Sequence, residues 1–270
     1  MSRNINHIVI TVLVVLLISL ILGTGQAISA DWSNVLKEKM AKCEEYNKEI
    51  KDMTIIGEMK TVSSEEGMTS SNEVKRFFKG KKFRSEITMQ MPGMPKEMGG
   101  MTTIIIHNGK DTWIISSLVG KKKLSDEESK QYQKEGVSCC TRMFKNAKIV
   151  GTEKIGKREC YIVQPEEEGE TSYTRIWLDK KNFYMVKSES KGTDGEMILM
   201  VNSDFRKVKG DWEMPYKTEM YRDNELMFTL LVKSIEINKG LSDDLFDPDK
   251  VEIKGFNMQE MMQRMEENND

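Results

Sequence analysis

The chain has 270 residues, of which 38% are hydrophobic, 31% charged and 7% aromatic. This composition excludes a disordered tail, which would be less apolar, and a polytopic membrane protein, which would carry fewer charges. A net charge of −2 leaves no overall basic field to attract nucleic acid. The unusual residue is methionine, with 21 copies against nine Phe and four Trp. We expect the function to make use of these thioether side chains.

The first thirty residues have the pattern of a secretory signal peptide. Arg3 precedes an apolar run from Ile8 to Leu22, and mostly small residues follow up to Ala30. A positive start, an apolar stretch and a small-residue exit are typical of such a signal, with cleavage here after Ala27 or Ala30. The alternative is a retained membrane anchor, since the uncharged stretch approaches the ~20 residues that span a bilayer. We expect cleavage, and therefore a periplasmic or secreted protein.

All four cysteines follow this segment, and an oxidising compartment would permit disulfides between them. Adjacent Cys139 and Cys140 are poor partners for each other, because the small ring that would close strains the peptide bond between them. The bridge that we favour joins Cys160 to one of these two. Three pairings are open in sequence, and reduced, buried thiols are the alternative. The disulfide candidates are Cys43, Cys139, Cys140 and Cys160.

The mature chain begins with a predicted helix over residues 33–52, where Val35, Leu36, Met40, Cys43 and Ile50 follow one apolar stripe. Beyond it the apolar period changes from 3.6 to 2, which is typical of strands with one dry and one wet face. Further helix is predicted only at about 125–134 and at the C-terminus. The predicted strands are 55–62, 74–79, 83–91, 103–107, 112–116, 159–164, 173–179, 183–190, 196–205, 212–221 and 226–237.

Glycine turns connect these strands, at Asn108-Gly109, Asp194-Gly195 and Lys209-Gly210. Consecutive strands joined by tight turns predict one antiparallel meander. About eleven strands are too many for a flat open sheet, so the sheet should curl. The predicted fold class is mainly β with flanking helices, a single curled antiparallel sheet under a helical lid.

Two segments concentrate the methionines. Residues 89–101 place five of them in a Gly- and Pro-rich loop, and the predicted terminal helix carries four more at helical spacing. Methionine suits surfaces that re-pack around variable apolar partners. We therefore predict a flexible apolar mouth over the concave face of the sheet.

Several short stretches resemble a known family. Residues 79–86 (KGKKFRSE) and 108–116 (NGKDTWIIS) resemble the periplasmic lipoprotein carriers of the LolA/LolB-like family. The second half is similar to the outer-membrane lipoprotein-sorting group of the same superfamily. Its matching stretches are 176–179 (IWLD), 203–208 (SDFRKV), 212–215 (WEMP) and 241–248 (LSDDLFDP).

This resemblance implies an incomplete β-barrel whose opening is covered by helices, with an apolar cavity for acyl chains. Together with the predicted signal peptide and terminal helix, it divides the chain into a signal peptide at 1–30, a half-barrel domain at 31–255 and a Met-rich helix at 256–270, a possible lid or tail. One feature departs from the family. The carriers place an arginine before the hairpin, where it helps hold the lid shut, whereas Lys79-Gly80 stands here.

Catalytic and metal-binding patterns are weak. His107 is the single histidine after the signal, and no Gly-x-Ser-x-Gly elbow accompanies it, so we expect a structural role. No Cys-x-x-Cys spacing indicates zinc, and the aspartates at 243–249 lack the spacing of a calcium loop, so they should cap turns. The lysines at 121–123 predict a solvated turn, with a lipid headgroup contact as the alternative. We expect Trp113, Trp177 and Trp212 in the core.

We predict a carrier rather than an enzyme, with no cofactor. Its partners would be a lipid or lipoprotein acyl chain, an inner-membrane donor or an outer-membrane acceptor, and the protein would be a monomer that binds no nucleic acid. The alternatives are Cu(I) binding by the methionines of 89–101, and a sensory or scaffolding domain for a protein partner. The predicted acyl-chain residues are Phe83, Ile87, Met89, Met91, Trp212, Met214 and Tyr216 in the wall, and Met94, Met98, Met101, Met261, Met262 and Met265 in the lid.

Overall fold

The computed structural model describes residues 32–62, 69–89, 101–116, 120–129, 132, 146–166, 173–192 and 194–252. The predicted signal peptide and terminal helix lie outside these residues. The chain divides into two compact units, residues 1–38 and 39–270, and every strand described below lies in the second. In the described part of the chain, no helix is both long and apolar enough to cross a bilayer.

The described residues form thirteen strands and a few short helices. The helices are α1 (Trp32–Glu49), α2 (Asp126–Ser129) and the 3-10 turns Asp243–Phe246 and Pro248–Lys250. The strands are β1 (Asp52–Val62), β2 (Thr69–Lys79), β3 (Lys82–Met89), β4 (Met101–His107), β5 (Thr112–Ser116), β6 (Gly120–Lys123), β7 (Ala147–Ile155), β8 (Arg158–Pro165), β9 (Arg175–Asp179), β10 (Met185–Lys191), β11 (Met197–Lys209), β12 (Trp212–Arg222) and β13 (Glu225–Ile237).

All thirteen strands belong to one antiparallel sheet in the order β6-β5-β4-β3-β2-β1-β13-β12-β11-β10-β9-β8-β7. The sheet is not closed into a barrel, because β6 and β7 lie at its two ends. The predicted fold class, a mainly β protein with one curled sheet, is confirmed. The predicted single meander is wrong in one respect: β1 pairs with β13, so two meanders meet in the middle of the sheet.

Two strands escape the sequence analysis. The four residues of β6 are all exposed, and β7 carries a bulge between Ile149 and Gly151. Neither stretch therefore shows a clean apolar alternation. The predicted glycine turns do form, with positive φ at Gly109, Gly195 and Gly210.

The junction between β1 and β13 is reinforced by buried polar contacts. The Asp52 carboxylate, 5% exposed, accepts hydrogen bonds from the backbone N–H groups of Lys239 and Gly240, at 2.8 and 3.0 Å. The Asn238 side chain accepts from the N–H of Lys51 at 2.7 Å and donates to the carbonyl of Glu49 at 2.9 Å. These contacts join the end of α1, the start of β1 and the end of β13.

The cross-strand register assigns every side chain to one of two faces, because directly paired residues share a face. The inner face is the one that carries Phe83. At one end of it, side chains from six neighbouring strands pack into a single cluster, so this face is concave. The cluster consists of buried Met53, Phe78 and Phe83 with partly buried Ile50, Ile55, Ile105, Tyr132, Trp212, Met214, Ile235 and Ile237.

The outer face is covered over β2 to β5 by the C-terminal strap, residues 241–251. Phe246 of the strap is 1% exposed and packs on Ile104, Ile106 and Ile115. Within the strap, the Asp247 carboxylate accepts from the N–H of Asp249 at 2.9 Å, as expected for an aspartate that caps a turn.

Basic residues of β2 and β3 fasten the strap. Lys79 donates to the Leu241 carbonyl at 2.8 Å, and Arg84 donates to the Leu245 carbonyl at 3.0 Å. Hydrogen bonds from Lys82 and Lys79 lower the pKa of Asp243. Lys79, which stands where the carriers are expected to hold a latching arginine, thus contacts the strap on the outer face.

A second outer-face cluster lies around Trp177, which is 1% exposed. Its Nε1 donates to Glu153 at 2.6 Å, and the Lys187 ammonium lies 4.1 Å from its ring centroid. Cys160 packs in the same cluster as a free, buried thiol, which favours the alternative of a reduced thiol over the predicted bridge to Cys139 or Cys140. Its Sγ donates to the Arg158 carbonyl at 3.6 Å, and burial raises the pKa of this thiol.

Truncation of Phe246 tests the strap. We expect Phe246→Ala to lower the free energy of unfolding by about 3–5 kcal/mol, because the substitution leaves a cavity between the strap and β4–β5. The matched control is Asp249→Asn, whose side chain is 83% exposed beside Lys121 and which should cost less than about 0.5 kcal/mol. Urea denaturation measures both. Equal effects of the two substitutions would contradict a strap that belongs to the cooperative fold.

Candidate functional site

The inner face carries rows of side chains that cross the strands. The isoleucine row consists of Ile114, Ile105, Ser85, Arg76, Ile55 and Ile235. The methionine row lies two steps further along the strands and consists of Met101, Met89, Asn72, Met59, Leu230 and Thr218. Between them, Ile87, Val74 and Gly57 lie side by side.

From Met59 and Leu230 of the methionine row onward, the inner face stays apolar without becoming fully buried. We call these side chains the open strip: Met59, Leu230, Phe228, Met220 and Met200. All five are only partly buried, whereas Phe83, Phe78 and Met53 at the packed end are 3–7% exposed. The inner face thus has one end filled by its own side chains and another that offers apolar surface.

Gly57 deepens this surface. A Cβ at this position would lie 2.8 Å from the Leu231 carbonyl oxygen, because a bulge brings β1 and β13 close together. A contact this short excludes any side chain there without a backbone shift. The face therefore has a gap between Val74 and Val232, next to the open strip.

The predicted wall residues fall on the inner face in two groups. Phe83, Trp212 and Met214 belong to the packed end, and Phe83 is buried there. Ile87, Met89 and Tyr216 lie further out and are partly buried. The Arg206 guanidinium lies 4.4 Å from the Tyr216 ring centroid.

Met101 is the one predicted lid residue that the structure describes. It pairs directly with Met89 across β3 and β4, within the methionine row. The other predicted methionines and two cysteines lie outside the described residues, as does the side chain of Cys43: Met91, Met94, Met98, Met261, Met262, Met265, Cys139 and Cys140. The Cu(I) hypothesis stays a prediction for the same reason.

Sequence analysis predicted none of the open-strip residues as ligand contacts. Met59, Leu230 and Phe228 lie in stretches that were predicted as strands but not as ligand contacts. The run around residues 226–232 is apolar on both faces, and β13 carries a register shift against β1. Its inward residues could therefore not be separated from Leu231 on the outer face. Long-range pairing with β1 is what separates them.

His107 is held by packing contacts. Its ring stacks on Phe83 with centroids 5.7 Å apart, and its Nδ1 lies 3.1 Å from the Thr112 hydroxyl. Burial lowers the pKa of His107, with a weaker opposing effect from Asp111. Among the described residues, no cluster of three His, Cys, Asp or Glu side chains could hold a metal ion.

The lysines of β6 are engaged in ion pairs. Lys121 pairs with Asp249 at 2.7 Å, Lys122 with Glu128 at 2.9 Å and Lys123 with Asp111 at 2.9 Å. The partners come from the strap, from α2 and from the turn between β4 and β5. These ion pairs account for the basic cluster as a structural feature of the sheet edge.

Solved structures of other proteins resemble this fold. A family model described as "Uncharacterized protein" matches residues 143–252, and no curated protein matches the chain. A DUF1329 family protein from Desulfovibrio piger is similar in structure, with a TM-score of 0.60 and 15% identity over 79% of this chain and 96% of that one. A LolA superfamily protein from Nitrosomonas europaea gives a TM-score of 0.52 and 16% identity over 78% and 99%.

This chain shares its fold with that LolA superfamily protein. A Vibrio parahaemolyticus domain described as an outer membrane lipoprotein-sorting protein shares it, with a TM-score of 0.55 and 15% identity over 78% of this chain and 97% of that one. The resemblance predicted from sequence is thereby confirmed at the level of fold. In the LolA-type fold of this chain, the open strip and the packed end share one concave face.

The environment of His107 is testable by titration. Burial penalises the imidazolium, so the titration midpoint of His107 should fall below the ordinary value of about 6.5. Since the pKa of this base is depressed on folding, its contribution to stability is present above pH ~6.5 and is lost as the pH falls below that value. NMR titration of the partly buried imidazole measures the midpoint, and His107→Gln should flatten the fall in Tm between pH 7 and pH 5. A midpoint at or above 6.5 would contradict a ring that is partly withdrawn from water by its stack on Phe83.

Proposed function

We propose that this protein is a carrier that binds a lipid or lipoprotein acyl chain on its concave inner face and catalyses no reaction. The observation that carries the proposal is the open strip, five apolar side chains on the concave face that are only partly buried. The fold adds support, since a domain described as lipoprotein-sorting shares it. Binding of this kind needs no catalytic group from the other described residues.

Transfer of apolar surface would drive binding. Each CH₂ group that leaves water contributes about 0.8 kcal/mol, so one acyl chain supplies several kcal/mol without a covalent step. Met59, Met220 and Met200 suit such a contact, because their unbranched side chains adapt to chains of different shape. Binding would stay reversible, as a carrier requires.

Matched substitutions on β13 test this site. Leu230 lies on the inner face and Leu231 on the outer face, and both are partly buried. We expect Leu230→Gln to weaken binding of hexadecanol by about tenfold, since loss of roughly two buried methylenes removes about 1.5 kcal/mol. Leu231→Gln, which alters the same strand by the same change, should leave binding within about twofold. Displacement of a neutral naphthylamine dye measures both affinities.

Lipid extraction gives an independent check. Organic extracts of the purified wild type should contain acyl lipid by mass spectrometry, and extracts of the Leu230→Gln variant should contain less. Equal effects of the two leucine substitutions, or no bound lipid and no hexadecanol binding, would contradict the proposed function.

Export belongs to the same proposal. A carrier of this kind would act as a monomer between an inner-membrane donor and an outer-membrane acceptor, after removal of residues 1–30 or 1–27. We expect the intact mass of the exported protein to match a chain that begins at Asp31 or Ile28. A full-length mass recovered with the membrane fraction would instead support a retained anchor.

A further inference from the structure

We infer that the bound amphiphile carries an anionic head group and that Arg76 is the residue that binds it. This inference rests on the proposed function and deepens it, because it names the chemical class of the ligand. The shared chemistry is a carboxylate or phosphate oxygen at the end of an acyl chain. Two observations on β2 lead to it: the position of Arg76, and the lack of a partner for its guanidinium.

Arg76 lies on the inner face, in the middle of the isoleucine row. Its direct cross-strand neighbours are Ile55 on β1 and Ser85 on β3. Along its own strand, the residues on the same face are Phe78 and Val74, both buried. A positive charge is therefore placed among apolar side chains, where an ion without a partner is costly.

Arg76 differs from the other arginines of the described chain. Its Nε is buried and makes no hydrogen bond, and none of the described carboxylates lies within 4.0 Å of its guanidinium. The other five described arginines each have a carboxylate within this distance: Arg84 with Glu86, Arg158 with Asp179, Arg175 with Glu189, Arg206 with Asp204 and Arg222 with Glu196. The protein thus pairs every described arginine except Arg76.

Asn72 supplies a second unsatisfied group on the same face. It is 2% exposed, lies between Met59 and Met89, and its Oδ1 has no hydrogen-bond partner. Four residues of β2 separate it from Arg76, which corresponds to about 13 Å along the strand. The inner face thus leaves a second polar atom without a partner, on the same strand as Arg76.

The geometry orients the ligand. The guanidinium of Arg76 would bind the anionic oxygens through charge-assisted hydrogen bonds, for which its planar fork is suited. The acyl chain would run from the isoleucine row past Gly57 and over the open strip. From Arg76 to the level of Phe228 the strands extend about 20 Å, a distance on the scale of a long acyl chain.

The test compares ligands that share one chain and differ in the head group: palmitate, hexadecyl phosphate and hexadecanol. For the wild type, we expect at least one of the two anions to bind about tenfold more tightly than the alcohol, as befits a hydrogen bond to a charged group. Arg76→Gln should abolish this preference and leave the affinity for hexadecanol within about twofold. Dye displacement at low salt measures all three affinities.

The matched control is Lys75→Gln. Lys75 is the neighbour of Arg76 on the same strand, but it lies on the outer face beside Glu73. This variant removes the same unit of charge and should keep the preference for the anion. Arg76→Lys should keep part of the preference for the anion. This variant separates the loss of the positive charge from the loss of the planar guanidinium.

The outcomes separate this inference from the function on which it rests. If none of the three ligands binds the wild type, the proposed function fails. If hexadecanol binds as tightly as both anions, or if Arg76→Gln keeps the preference, the carrier proposal stands and the role of Arg76 is overturned. Should Arg76→Gln not fold, the wild-type preference and its decrease with added salt decide, because an ion pair is screened and apolar contact is not. A preference for phosphate over carboxylate would identify a phospholipid rather than a fatty acid.

Discussion

The pairing of β1 with β13 is the constraint on which the rest of the structure depends. It joins Met53 to Ile237 and Thr61 to Phe228, residues that lie far apart in the chain. Without it, two separate meanders would each expose an unpaired edge, and every inner-face row would end at β1. Loop-closure entropy must be overcome before such long-range contacts form, and the hydrogen bonds to the buried Asp52 carboxylate help to stabilise this junction.

The two ends of the inner face show what this pairing makes available. At one end, Met53, Phe78 and Phe83 fill the concavity with the protein's own atoms. At the other, the strands hold apolar side chains apart through their backbone hydrogen bonds, so the surface cannot collapse on itself. The same two-residue alternation thus yields a core where the face is filled and a partly exposed apolar surface where it is not. Arg76 stands near the boundary between the two.

The sequence was sufficient for the elements whose signal is local. The alternation around Phe83 and the Asn108-Gly109 turn predict their strands and hairpin correctly. The sequence was insufficient to predict features that depend on which strand pairs with which, such as the face on which a residue lies. Val74–Lys79 could be predicted as a strand, but that Arg76 faces the same way as Ile55 follows only from the register with β1. Cys160 shows the same limit, since its burial beside Trp177 depends on the pairing of β8 with β9.

The open sheet has two edge strands, and the sequence of β6, which is one of them, affects how the protein behaves in solution. Exposed strand edges are templates for edge-to-edge aggregation, and short, lysine-rich strands are a common protection against it. The three lysines of β6 and their acidic partners make a charged border of this kind. A second molecule cannot pair with β6 without desolvating that charged border, so this edge is protected against sheet-to-sheet polymerisation.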